Sequence, residues 1–224
     1  DEKINTSLYK ELLGVSSHEL YHAWNVKSIR PKEMLPYDFS KENYSELGYI
    51  YEGITTYMGD LFLLKSNVFT LDQYFAEFNK QLQKHFDNLG RFNYSVAESS
   101  FDTWLDGYVQ GAPGRKVSIY VEGCLLAFVA DVMILKHTLG KYGLDEVMKR
   151  LYFNCAMKGI GITEEVYKKE LEEFFSKYNL GKLLNYNEIK EGIENTNYFI
   201  QTEKGKFILT LYEKRVDEKD LPFF

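Results

Sequence analysis

Two histidines one helical turn apart, with a glutamate beside the first, stand in the stretch HELYH from His18 to His22. At 3.6 residues per turn His18 and His22 lie about 40° apart around a helix axis, so both imidazoles aim at one point and can grip one metal ion. Glu19 sits about 100° around from His18, where it can reach a water at the metal without ligating the ion, which suits a general base. Zinc held by two histidines needs a third protein ligand and an open position for water. Glu52 in YEGITT, thirty positions after His22, is the candidate for that ligand. The chemistry implied is hydrolysis by a metal-activated water.

The first motif needs a helix. Thr6 or Ser7 is a suitable N-cap, and Leu8, Leu12 and Val15 form a stripe whose next members are Glu19 and His22. If that stripe is buried, its polar continuation costs free energy unless the groups find a partner such as a metal. The alternative is an ordinary amphipathic helix with two surface histidines. A second helix carries Glu52. Ser40 could start it, and Leu47, Ile50, Tyr51, Ile54, Tyr57, Met58 and Leu61 make it apolar around much of its circumference. A glutamate on so buried an element calls for a nearby cation, which a lysine or arginine could supply as well as a metal.

VSSHELYHAWNVKSIRP resembles the glycyl aminopeptidase family of zinc metallopeptidases, whose motif runs HExxHxWNVKxIRP; Trp24, Asn25, Val26, Lys27, Ile29, Arg30 and Pro31 all match. EGITTYMGDLFL is similar to that family's EGFTxYYGDLLL, ESSFDTW (Glu98 to Trp104) to its ASFDAW, and SIYVEGCLLAFVAD from Ser118 to its SYYTKGALVALLLD. The four blocks keep the family order and cover roughly residues 8 to 150. The family is a gluzincin, in the clan of thermolysin. The resemblance implies His18, His22 and Glu52 as ligands of one zinc ion, Glu19 as base, and Tyr120 as the phenol that steadies the tetrahedral intermediate. At the last block this sequence departs from the family, with Ile119 for a tyrosine and Glu122 for a lysine. Without the family, Tyr120 is one of 18 tyrosines near a helix start, where packing is the default role.

By resemblance the fold is mainly α (α+β), the helical lobe of a thermolysin-like catalytic domain with a small C-terminal β hairpin. The 224 residues, 45% hydrophobic and 16% aromatic, suffice for a substantial core. A net charge of −6 argues against a nucleic-acid partner. No run approaches the roughly 18 apolar residues of a membrane span; Leu125 to Leu135, the most apolar stretch, reads as a buried helix. Cys124 and Cys155 lack metal spacing and read as core thiols, with a disulfide left open.

The remaining elements are ordinary by pattern. A capping box from Thr70 to Gln73 announces a helix to Leu89 on which His85 is structural, and His137 lies in a last turn before Gly140 where a cationic imidazole would suit the helix C-terminus. Helices follow around Leu144 to Phe153 and from Thr163 to Tyr178, the latter with Glu164–Lys168 and Glu165–Lys169 pairs on the solvent side. Tyr198 to Thr202 and Phe207 to Tyr212 read as two strands joined through Glu203 to Lys206, with Gly205 in the turn. A boundary near Gly192 divides a catalytic part, residues 1–192, from a short β-rich extension, residues 193–224.

The resemblance implies a peptide substrate and an aminopeptidase that releases small N-terminal residues such as glycine and alanine. The family's β-rich N-terminal region, with its amine-binding glycine and glutamate motif, has no match here, and its C-terminal PDZ module is not recognisable; both are expected as missing partners that complete the site. An endopeptidase on the same scaffold and a noncatalytic peptide-binding or scaffold domain stay open. Cytoplasmic and periplasmic locations are both compatible with the sequence.

Overall fold

The computed structural model describes residues 6–106 and 112–177 and the backbone of three strands between 183 and 212, with side chains described for 6–105 and 112–173. Two compact units result, Asp1–Glu170 and Leu171–Phe224.

The first unit is helical. Helix α1 (Ser7–Tyr21) is capped by Thr6, whose hydroxyl accepts from the Tyr9 amide at 3.3 Å. A π-helical turn (Tyr49–Gly53) runs directly into α2 (Ile54–Lys65). Helix α3 (Leu71–Asp87) starts at the expected capping box, in which Thr70 and Gln73 satisfy each other's backbone amides. Short α4 (Val96–Phe101) and α5 (Thr103–Asp106) lead to α6 (Ile119–His137), then α7 (Leu144–Asn154) and α8 (Glu164–Lys177), which begins in this unit and ends in the next. Helix α6 is the apolar stretch anticipated from sequence and packs against the π turn, α2 and α3. Its Ile119, Val121, Cys124, Ala127 and Ile134 are buried with Ile50, Ile54, Met58, Leu144 and Leu151, although Leu135 at the far end is exposed. Cys124 and Cys155 are free and buried. Among the described residues no helix is long and apolar enough to cross a membrane.

The second unit holds strands β1 (Leu183–Ile189), β2 (Asn195–Thr202) and β3 (Gly205–Tyr212) in an antiparallel sheet of order β1-β2-β3. The expected hairpin is thus two strands of a three-stranded meander. Pairing of Thr202 with Gly205 shortens its connection to residues 203–204, which lie outside the described residues, so Gly205 and Lys206 belong to the strand. Strand β1 carries no clear strand pattern, because LLNYNEI mixes strand formers with asparagine and glutamate. Since β1 pairs with β2, the break between units falls ahead of Gly192, itself outside the described residues.

Three expectations about the first unit are corrected. Leu8, Leu12 and Val15 are 75%, 58% and 60% exposed, so the stripe that continues to Glu19 lies on the open face of α1. The packed face runs instead through Gly14, Ser17, His18 and Tyr21, because Gly59 of α2 lets the two backbones meet: a Cβ there would lie 3.1 Å from the His18 nitrogen. Ser40 does not start the Glu52 helix. Its amide and hydroxyl bond to Asp38 in a turn, and the helix begins at Tyr49, whose amide donates to Ser100 Oγ. Finally, burial and then Lys136 push the His137 imidazole below its usual pKa, which disfavours the cationic form expected at that helix end.

Candidate metal centre

His18 projects from the last turn of α1, His22 occupies its C-cap, and Glu52 stands on the π turn. The three meet. Glu52 Oε2 lies 3.2 Å from His18 Nε2 and 3.3 Å from His22 Nε2, and one ligand atom from each residue falls within 4.8 Å of the others. The imidazoles stand edge to face with ring centroids 4.6 Å apart. Their partial burial, 16% and 12% side-chain exposure with 18% for Glu52, leaves one side open to solvent.

Close backbone approaches fix this meeting. Besides the Gly59 contact, Ser17 Oγ donates to the Gly59 carbonyl at 2.7 Å, which pins α1 to α2 immediately before His18. Gly53, next to Glu52, faces Gly123 of α6 so tightly that a Cβ on Gly53 would lie 2.3 Å from the Gly123 Cα. That crossing brings the first turn of α6, and with it Tyr120, beside the π turn. The π turn itself accommodates one extra residue, which rotates the chain ahead of it by about 100° relative to the α2 that follows.

The hydrogen bonds decide which nitrogen each ring offers. His22 Nδ1 donates to the Asn25 carbonyl at 2.7 Å, and His18 Nδ1 lies 3.5 Å from Thr56 Oγ, whose own proton goes to the Glu52 carbonyl at 2.9 Å. Both Nε2 atoms therefore face the carboxylate. In the neutral tautomers so fixed, two lone pairs would point at a carboxylate oxygen, an arrangement that requires a cation at its centre, either protons on the rings or a metal ion. Burial alone would raise the Glu52 pKa, but hydrogen bonds and charge from His18 and His22 outweigh it and hold the carboxyl down at about 2. For His22, burial lowers the pKa, yet the bonds to Glu52 and the Asn25 carbonyl prevail and raise it. The two nitrogens and one oxygen match the donor set of zinc, and among the described residues the ion pairs of Glu52 are with these histidines, not with a lysine or arginine.

The cluster lies in a cleft of about 910 Å³ whose walls include Glu19 from the exposed face of α1 and Tyr120 from α6. The Tyr120 ring centroid is 6.1 Å from that of His18. All five residues singled out from the sequence thus share one cleft. Sequence reasoning overlooked several neighbours. Thr56 orients His18, and Asn25 is fully buried against the π turn. Asp60 lines the cleft with its carboxyl pushed up to about 6, first by burial and then by Glu77. Glu122, which replaces the family lysine, receives the buried His85 Nδ1 at 2.8 Å on the cleft wall, so the helix α3 histidine, structural by pattern, braces the site. The capping and apolar patterns around these residues carried no signal for such long-range contacts.

The profile of the M61 glycyl aminopeptidase family matches residues 11–126, a span that contains all five cleft residues. A crystal structure of an aminopeptidase N family protein from Idiomarina loihiensis superposes with a TM-score of 0.72 at 31% identity, covering 84% of this chain and 32% of that one. Homoserine kinases from Bradyrhizobium diazoefficiens and Methylobacterium nodulans are 54% and 55% identical over 65 residues, which is 29% of this chain and 20% of theirs. The chain therefore spans about a fifth of the length of the curated relatives it matches and about a third of the solved one.

Proposed function

Because the chain belongs to the M61 glycyl aminopeptidase family, we propose that its helical unit is the metal-holding part of a zinc peptidase that removes small N-terminal residues such as glycine and alanine from peptides. The observation that carries this reading is the convergence of His18 Nε2, His22 Nε2 and Glu52 Oε2 in an open cleft. These three would hold one zinc ion. Zinc, when bound, supplies a Lewis acid that brings the pKa of a ligated water toward neutrality and polarises the scissile carbonyl. Glu19, exposed beside His18, takes the proton of the attacking water and returns it to the departing amine. The Tyr120 phenol donates to the carbonyl oxygen as charge develops there. His22 is kept in the tautomer that leaves Nε2 free by its bond to the Asn25 carbonyl. The likeness to homoserine kinases, confined to 20% of those proteins, contributes no reaction to this reading.

Glu19→Gln tests the proposal. Hydrolysis of glycyl and alanyl peptides should fall by about 10²–10⁴-fold while zinc content stays at one per chain. Wild-type rates from that variant would eliminate the mechanism. Hydrolysis of N-acetylated peptides as fast as free ones would replace the aminopeptidase reading with an endopeptidase on the same site.

A further inference from the structure

Asn25 is fully buried and touches both halves of the metal cluster. Its main-chain carbonyl accepts the His22 Nδ1 proton at 2.7 Å, while its side-chain amide donates to the Ile50 carbonyl at 2.9 Å and Thr55 Oγ at 3.1 Å, with the Tyr51 carbonyl at 3.5 Å. Ile50, Tyr51 and Thr55 bracket Glu52. A π turn leaves carbonyls without their usual i+4 amide partners, and the two N–H groups of one carboxamide are suited to engage them. The same side chain carries a cost, because its Oδ1 is buried with no hydrogen-bond partner among the described residues. An orphaned acceptor in a buried side chain implies that its donors are what the position requires.

We propose that Asn25 is a positioning residue of the metal centre: it couples the tautomer and placement of His22 to the conformation of the π turn that presents Glu52, so that one ligand from α1 and the ligand from the π turn are set by a single residue. It touches neither substrate nor metal. This inference rests on the metal reading above. An aspartate at this position keeps the shape but loses both donors and sets a carboxylate against two carbonyls, so the π turn must shift and Glu52 with it. Thr55 is a second handle, since its hydroxyl accepts from Asn25 and donates to the Tyr51 carbonyl at 2.6 Å.

Zinc affinity measured by chelator competition, together with the visible d–d bands of the cobalt-substituted protein, supplies the test. Asn25→Asp and Asn25→Leu should weaken zinc by about 10–100-fold and alter the cobalt bands, as expected for a lost support of metal ligands. Ser99→Ala, which removes a buried hydroxyl that accepts from the Val117 amide away from the cleft, controls for general destabilisation and should leave zinc affinity unchanged at a comparable loss of Tm. Zinc affinity within twofold of wild type in the Asn25 variants, with unaltered cobalt bands, would overturn the inference. If those variants do not fold, Thr55→Val decides: a loss of about 3–10-fold in zinc affinity supports the coupling, and none refutes it. A wild-type chain that takes up no zinc defeats the metal reading itself; one that does, beside unaffected Asn25 variants, defeats only this inference.

Discussion

Two of the carboxylates set among the helices of this protein, Asp131 and Glu52, differ in what surrounds them. Asp131 of α6 is closed off: Tyr57 donates to its Oδ2 at 2.5 Å and the Leu144 amide to its Oδ1 at 2.6 Å. Burial, and then the charge of Asp131, push the Tyr57 phenol well above its usual pKa, so it stays a donor. Glu52 instead faces two imidazole nitrogens that supply protons only when the rings are charged. The contrast teaches that a buried carboxylate with fixed donors ties helices together, whereas one met by facultative donors is a place for a cation. Asp131 joins α2, α6 and the start of α7. Glu52 opens onto solvent.

The largest effects are expected at the proposed ligands. Glu52→Ala or His22→Ala should reduce zinc from one per chain to a small fraction at micromolar metal, read by metal analysis after dialysis, while Asp131→Asn should leave the zinc content intact. Full metal content in Glu52→Ala would erase the distinction. Next in size, Tyr120→Phe should lower kcat by about 10²–10³-fold with zinc retained, the loss expected for one oxyanion donor. An unchanged kcat would return Tyr120 to the packing role that its surroundings allow. Tyr57→Phe belongs to the other side: it strands Asp131 Oδ2 and should cost about 1–3 kcal/mol in urea unfolding without touching metal affinity.

An effect of similar size, confined to one pH range, concerns Asp60, which lies between the two kinds. Its folded pKa is raised from 3.8 to about 6, so below 3.8 both folded and unfolded states are protonated and no difference arises. Between 3.8 and about 6 the unfolded chain ionises first, and the folded state loses stability as pH rises through that window. Asp60→Asn should match wild type near pH 4 and exceed its stability by about 1–3 kcal/mol above pH 6, where the loss is complete. Parallel stability curves for the two proteins across this range would show that Asp60 is not held in the neutral form.

Legibility in the sequence followed the range of the interactions. The capping box at Thr70, the Thr6 cap and the apolar α6 were readable because each depends on residues within one or two helical turns. The pairing of His18 with His22 was readable for the same reason. The buried face of α1 was not. Leucine and valine at helical spacing pointed to the wrong side, since the packed side was chosen by a glycine more than forty positions away that admits the α1 backbone. Likewise, Glu122 paired with His85 across two helices, a contact that no local pattern encodes.

The residue types able to hold a metal, their separation along one helix, and the acidic side chain on a second helix were determined by the sequence itself, because helical periodicity and donor chemistry are local properties. Tertiary structure alone decided that the second helix would begin with a π turn, that Gly53 and Gly123 would bring α6 against it, and that Asn25 would engage its carbonyls. Those outcomes depend on which surfaces meet at close range, and steric fit between distant segments appears only once the chain has packed.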